Sequence, residues 1–490
     1  MFSIAICATC TTGDDLDDEV TAYKKGDYKT ELKLLQKEAD KGNAVAQFRL
    51  GVMYDDGKGV VQDYKEAFKW YKLAADQGFA GAQFGLGLMY ANGRGVPKNY
   101  KEAFKWYKLA ANQGHAGAQT NLGAMYAKGR GVAQDYKEAF KWFKLAADQG
   151  HAGAQNNLGE IYYYGDGVLP DDNKAVRLFK LAADQGHAEA LYNLGVMYAK
   201  GQGVVQNYKK AFKWYKLAAD QGHAGAQFGL GLMYANGRGV PKNYKEAFKW
   251  YKLAANQGHA GAQTNLGAMY AKGRGVAQDY KEAFKWYKLA ADQGHAGAQF
   301  GLGLMYAKGQ GVVQNYKKAF KWFKLTADQG HADAQNNLGV MYANGRGVPK
   351  DYKEAFKWFK LAADQGHAGA QFGLGLMYAN GYGVAQDYKE ALKWYKLAAD
   401  QGHAGAQTNL GAMYAKGQGV VQNYKEASKW FKLAAEQGFA LSKCFLAEMY
   451  INGHGIKRNP SMAKKMAKEG YEAGADYCKD VWEKYNLTNY

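Results

Sequence analysis

Serine, proline and cysteine are all scarce in this chain: Ser3, Ser428, Ser442 and Ser461 are its only serines, and it has five prolines and four cysteines in 490 residues. Each scarcity closes a door. Ser461-Met462-Ala463-Lys464 spells the S-x-x-K of penicillin-recognising enzymes, but the S-D-N and K-T-G motifs that complete such a site are missing, so the tetrapeptide reads as a helix start. No Pro/Ser-rich spacer divides the chain, and few prolines suit a helical body. Four cysteines, two of them in the N-terminal run (Cys7 and Cys10), are too few for a disulfide scaffold. The apolar stretch Met1 to Thr12 is far too short to cross a membrane. The G-x-G loops, such as Gly93 and Gly95, lack the third glycine of a dinucleotide fold, and no G-x-x-x-x-G-K-[ST] is present.

What the chain has is one sentence repeated. The stretch Ala80 to His115 recurs as twelve copies of 36 residues, opening at Ala44, Ala80, Ala116 and so on to Ala440, without insertion or deletion. A fixed period in this range marks a solenoid or array. Ala82, Leu86, Met89 and Tyr90 fall at helical spacing and form one buried face. A glycine loop, Asn92 to Val96, ends that helix. Asn99 with Glu102, like Asp63 with Glu66, Asp135 with Glu138 and Asp351 with Glu354, reads as a capping box opening a second helix. Asn207 before Lys210 and Asn315 before Lys318 keep only half of it. Ala103, Trp106, Tyr107, Ala110 and Ala111 form the buried face of this helix, with Lys101, Lys105 and Lys108 opposite. Such a pair cannot bury its apolar face alone, so stability comes from units and their nearest-neighbour interfaces.

The formal charge of +19 is largely one lysine stripe multiplied, as at Lys65, Lys69 and Lys72, and reads as a solvated helix face. The competing reading is attraction to an acidic partner, an anionic polymer or lipid. No nucleic-acid motif accompanies the charge, so nucleic acid is not expected. Nine of the histidines sit at unit junctions, His115 to His403, one layer apart at roughly 8–10 Å. Metal ligands must converge within about 2 Å of one ion, so these are helix-start residues and no metal is expected. A catalytic centre is one unique constellation, and near-copies do not supply one. The chain reads as a monomer that is not an enzyme and carries no cofactor.

At the front, the apolar run is followed by Asp14-Asp15-Leu16-Asp17-Asp18, the abrupt switch of a signal-sequence remnant, with a frayed terminus as the plainer alternative. Asp27 to Lys41 matches a second half-unit, so it and a shortened helix from Val20 to Lys25 form a cap. Residues 80–142 and 224–286 are identical, which marks a copied four-unit cassette. The most divergent internal copy runs from Ala152 to His187, with Asp172 for Tyr and Leu178 for Trp. At the end, Asp476 to Tyr490 reads as one closing amphipathic helix. Cys444 and Cys478 stand at a similar register on adjacent layers; they pair in an oxidising compartment and stay buried thiols in a reducing one.

The pattern A-x-A-x-x-x-L-G-x-M-Y-x-x-G-x-G-V-x-x-[DN]-Y-x-x-A-x-x-W-[YF]-x-x-A-A-x-x-G resembles the Sel1-like repeat, a relative of the tetratricopeptide repeat, from Ala44 to Gly474. The resemblance implies an all-α, right-handed superhelical solenoid of twelve antiparallel helix pairs with terminal capping helices. It implies an adaptor or scaffold that binds a partner protein of unknown identity. The opening AYKKGDYKTELKLLQKEADKGNAVAQ is similar to the cap of bacterial exported members, which implies a periplasmic or secreted protein, with a cytoplasmic one as the alternative. Cysteine-rich relatives are linked to penicillin binding; this chain lacks their cysteine pair per repeat, and penicillin-binding or β-lactamase-like activity is the weakest reading. The organisation is then an apolar segment over 1–13, capping helices over 14–43, twelve repeats over 44–475 and a closing helix over 476–490.

Within the units three first-helix positions vary while Leu86, Gly87 and Tyr90 barely change. One row reads Phe84, Thr120, Asn156, Tyr192 and Phe228; the next Leu88, Ala124, Glu160, Val196 and Leu232; the third Asn92, Lys128, Tyr164, Lys200 and Asn236. Spacing of four puts them on one stripe. By similarity to tetratricopeptide proteins that stripe lines the concave face and touches a partner; packing drift is the other explanation. An envelope or host-directed factor whose basic face binds anionic polymer or lipid is the alternative function. A smaller residue at the tryptophan position also predicts a soft joint. Amides around Leu178 should exchange faster than those around Trp142, and equal protection refutes the idea.

Overall fold

A computed structural model describes residues 21–489. The segment 1–13, with Cys7 and Cys10, lies outside the described residues. Every regular element among them is helical, and consecutive helices pair, one pair per 36-residue unit, from Ala44–Asp56 with Tyr64–Asp76 to Ala440–Asn452 with Pro460–Glu472. The fold is an all-α solenoid. By its own contacts the chain forms two compact units, Met1–Asn243 and Tyr244–Tyr490. Each, where described, is a stack of the same pairs.

The unit Ala80–Asn92 with Tyr100–Asn112 shows why these residues fold this way. The first helix stops at Gly93, whose φ of 71° is open to glycine and costly for other residues. The second starts at Asn99, whose side chain accepts from the N–H groups of Lys101 and Glu102 at 3.0 and 3.2 Å. The capping box of the sequence is only half formed. The N–H of the capping residue donates to the first helix instead, Asn99 to Tyr90 at 2.9 Å and Asp63 to Tyr54 at 3.0 Å. Glu66 and Glu102, relieved of that task, pair with Lys69 and Lys105 at 2.5 Å. The hairpin loop thus closes on backbone bonds, which tolerate Lys210 and Lys318 in place of glutamate.

The core of each layer is drawn from two repeats. Ala67, Tyr71, Ala74 and Ala75 of one second helix meet Ala82, Leu86 and Met89 of the next first helix. A buried amide fixes their register. Gln83 donates to the carbonyl of Ala75 at 3.3 Å and accepts from Gln113 at 2.8 Å, and the same pair recurs as Gln119 with Gln149 and Gln371 with Gln401. A buried amide costs stability when unpaired, so the bond selects one stacking register. Leu191 replaces this glutamine in one copy. A second tie runs through the loops: Arg94 stacks over Tyr64 of the preceding repeat at 5.6 Å, Arg130 over Tyr100 at 5.6 Å, and Tyr382 on Tyr352 at 4.7 Å. A Cβ on Gly95 would stand 2.2 Å from the carbonyl oxygen of Tyr64, so only glycine lets the loop come this close.

Both ends are closed. Residues 21–25 are helical and precede Tyr28–Asp40, and Glu31 pairs with Arg49 at 3.2 Å, both largely buried. The closing segment is not one helix: Tyr477–Lys484 is α-helical, Asn486 turns the chain with φ 47°, and Leu487–Asn489 forms a 3-10 turn. The turn folds back because it buries Leu487 fully and brings Thr488 to the Trp482 indole N–H at 3.2 Å. Cys444 and Cys478 are bridged, joining the last first helix to this closing helix.

Gly87 gives a test of the layer core. A Cβ there would stand 2.4 Å from the Tyr107 ring. The last repeat alters both partners together: Ala447 stands at the glycine position and Ala467 at the tyrosine position. Glycine to alanine inside a helix ordinarily gains about 0.5–1 kcal/mol. Here Gly87→Ala should lose about 1–3 kcal/mol by overpacking, read as a lower melting point by calorimetry, and a gain would show that the ring yields freely.

Candidate functional site

The three variable rows of the first helices do different work. The inner row packs between repeats. Phe84 stacks on His115 of the next repeat at 4.6 Å and Tyr192 on His223 at 4.6 Å. Thr120 is buried and its hydroxyl lies 3.1 Å from Nδ1 of His151, and Asn156 is buried. Phe228 is half-buried. The middle row is half-buried to exposed, with Leu88 and Glu160 half-buried and Leu232 exposed. Asn92, Lys128, Lys200 and Asn236 of the outer row are all exposed.

The junction histidines cap the first helices. Nδ1 of His115 accepts from Ala118 N–H at 3.1 Å, and His151, His187, His223, His259, His367 and His403 repeat the bond at 3.1–3.4 Å. Asn43 does the same at the equivalent position in the first repeat. Among the described residues no group of three His, Cys, Asp or Glu side chains is placed to hold a metal ion. Burial holds the imidazoles of His115, His151, His187 and His403 below their ordinary value.

The second-helix face is largely self-neutralised. Lys69, Lys105, Lys141 and Lys249 pair with the glutamate three residues before, and Lys72, Lys216, Lys288 and Lys360 with the aspartate four residues on. Lys72, Lys324 and Lys360 also lie over Trp106, Trp358 and Trp394 of the following repeat, at 5.4, 5.0 and 5.4 Å. The tryptophans are therefore interfacial rather than deep core. Sequence reasoning missed the leucine beside them: Leu73, Leu109, Leu145 and their counterparts to Leu433 are exposed in every full repeat but the last. Its invariance amid lysines was the available signal.

One place departs from the repetition, in the copies opening at Ala152 and Ala188. A cleft of about 160 Å³ is lined there by Glu160, Tyr163, Tyr164, Tyr192, Asn193 and Lys200, among others. Glu160 Oε1 accepts from Asn156 Nδ2 at 3.0 Å and from Asn193 Nδ2 at 3.3 Å. Burial raises its carboxyl above the usual range, with those two amides opposing. Tyr163 donates to Gln202 at 2.9 Å, and its ring meets that of Tyr164 edge-on at 4.8 Å. The structure thus joins Asn156, Glu160, Tyr192 and Lys200 in one place and leaves Phe84, Leu88 and Asn92 in another. Tyr163 was missed, although it stands where neighbouring copies carry Ala91, Ala127 and Ala199.

A larger cleft of about 570 Å³ lies at the C-terminal end of the second unit and includes Glu448, Tyr477 and Tyr485. Glu448 occupies the same repeat position as Glu160, eight units on. Both its oxygens are engaged: Tyr477 donates to Oε2 at 2.8 Å and Lys484 to Oε1 at 3.3 Å.

Stacked helix pairs with register-fixing amides and capped ends define an α-solenoid repeat protein. The chain belongs to the Sel1 repeat family, which it matches at 44–79, 80–115, 116–151, 152–187, 188–223, 224–259, 260–295, 296–331, 332–367, 368–403, 404–439 and 440–474. Among solved structures it is similar to a protective antigen present in uropathogenic Escherichia coli strains that displays an SLR fold. That protein is 35% identical, with 93% of this chain and 97% of the other covered and a TM-score of 0.72. It is also similar to a Sel1 repeat protein from Oxalobacter formigenes, 36% identical over 50% of this chain and 97% of the other, with a TM-score of 0.47. No curated protein matches the chain. Sel1 repeat proteins generally mediate protein–protein interaction, and their solenoid fold is typically non-catalytic. No helix among the described residues is long and apolar enough to cross a membrane.

The histidine caps make stability depend on pH. Nδ1 accepts only when unprotonated, and the folded values of His115, His151, His187 and His403 lie below the unfolded one, so the unfolded chain binds protons first. Their contribution is complete above about pH 6.5 and is lost as pH falls below it toward the depressed values. Melting temperature should drop between about pH 7.5 and about pH 5 as caps worth about 1 kcal/mol each are released. Replacing these four histidines by Asn, the residue the chain itself uses at Asn43, should flatten the drop. An unchanged slope would assign the pH dependence elsewhere.

Proposed function

We propose that this Sel1 repeat protein is a non-catalytic scaffold that holds a segment of a partner protein along the first-helix face. The single observation behind this is where the variation stands. Cores built from Ala82, Leu86 and Met89 scarcely change, while the half-buried and exposed rows of Leu88, Glu160 and Leu232 and of Asn92, Lys128, Lys200 and Asn236 do. Drift tied to packing would concentrate on the inner row, which carries the inter-repeat stacks. Recognition would use the outer two.

The second-helix lysines support the anionic-surface reading less well, because most of the stripe is paired with carboxylates of its own helix. We place the protein outside the bacterial cytoplasm. The Cys444–Cys478 bridge suits an oxidising compartment, and the similar Escherichia coli protein is a protective antigen. The scaffold boundaries proposed are those of the sequence: caps over 14–43 and 476–490 around repeats over 44–475.

Site-specific photo-crosslinkers at Asn92, Lys128 and Asn236, compared with Lys69 and Lys105 on the other face, test the reading. One and the same partner should be trapped from the first three positions and from neither lysine. Trapping from the lysines alone, with binding that collapses between low and moderate ionic strength, would replace it by the anionic-surface alternative.

A further inference from the structure

The departures from the repeat consensus converge on the Glu160 cleft. Tyr163 replaces the usual alanine, Tyr164 the usual Asn or Lys, Glu160 an apolar residue, and Glu189 the usual glycine. Glu160 is the middle of this set. Both amides that reach it, from Asn156 and Asn193, bind Oε1. Oε2 takes no hydrogen bond from a described residue and is not sealed from solvent. In a chain with a net charge of +19, a half-buried carboxylate among tyrosine rings is an unusual construction.

The chain shows what such a construction holds. At the equivalent position in the second unit, Glu448 binds the ammonium of Lys484 at 3.3 Å, and the same ammonium lies over the Tyr485 ring at 4.8 Å. Tyr477 completes the carboxylate's coordination. Carboxylate and aromatic face together recognise a cation by charge-assisted hydrogen bonding and by the ring quadrupole. In the Glu448 cleft the chain's own tail supplies the lysine. In the Glu160 cleft nothing does: Lys200 is turned to the Tyr163 hydroxyl at 3.4 Å.

We propose that the Glu160 cleft is a socket for a lysine or arginine side chain of the partner segment, seated on Oε2 and flanked by Tyr164 and Tyr192. This rests on the reading of the first-helix face as the partner-binding surface. The socket would set register: the rest of the face offers repeated, interchangeable positions, and one cationic anchor selects how a bound segment is threaded along it.

The test uses the full chain and displayed libraries of short random peptides, followed by synthetic peptides. Peptides enriched on the wild type should share a basic residue. Replacing that residue by citrulline or acetyl-lysine should weaken binding about tenfold or more. Glu160→Gln should weaken the basic peptide as much and leave the citrulline peptide unaffected. Glu160→Val installs the residue the repeat already carries at Val196 and Val340, so it keeps the fold and should give the same loss with an unchanged melting point. If peptides bind, and Leu88→Glu or Leu232→Glu weakens them, but neither Glu160 substitution nor loss of the basic group matters, the socket is wrong and the face reading stands. If no selected peptide responds to any of these substitutions, both fall.

Discussion

The apolar surface of each second helix is covered by the first helix of the following repeat, and everything else about this protein depends on that sharing. Alanines at Ala74, Ala75 and Ala82 let the helices approach, and Leu86 and Met89 fill the space. A single pair would leave those surfaces wet, so no repeat is stable without a neighbour. Apolar burial is indifferent to sliding, and polar atoms supply the discrimination. The Gln83–Gln113 bond and the stacks on Tyr64 and its counterparts are satisfied in one register only.

That constraint also explains how much the sequence disclosed. Helix positions, loop glycines and the second-helix caps could be read directly, because each is a local rule repeated until coincidence is excluded. The missing arm of the capping box could not. Whether Glu102 or Tyr90 satisfies the Asn99 N–H depends on how close the hairpin folds, which no local spacing encodes. The tryptophans looked like core because aromatic residues at helical spacing usually are. Their interfacial place, with lysines such as Lys72 over them, follows from the layer offset between repeats. The candidate stripe was legible as a line but not as three rows. Burial of Thr120 and Asn156 against exposure of Lys128 and Asn236 depends on the tilt between successive first helices. The C-terminal break at Asn486 is likewise a tertiary outcome, driven by burying Leu487.

A protein made of copies has few ways to be specific. Any contact available at one layer is available at the next, so a partner bound by consensus residues alone could slide by whole repeats. Specificity must come from exceptions, and they are not scattered. Asp172, Leu178, Tyr163, Tyr164 and Glu160 lie in one copy, and Asn193 and Gln202 of the next complete the set. The loss of Trp at Leu178 loosens a layer on one side while its other side gains a carboxylate and two rings.

The bridge between Cys444 and Cys478 has a bearing on how the array ends. A stack of interchangeable layers has no intrinsic last member: the face presented by its final helix resembles every internal face, and another chain could in principle continue the series. What prevents polymer growth is the seating of Tyr477–Lys484 and Leu487 over that face. The covalent tie encloses a stretch with a sequence separation of 34, a loop for which chain-entropy arguments give about 3–4 kcal/mol. Where thiols are kept reduced, the lid is held only by Val481, Leu487 and the bonds to Glu448. Discrete length in this protein is thus in part a redox property.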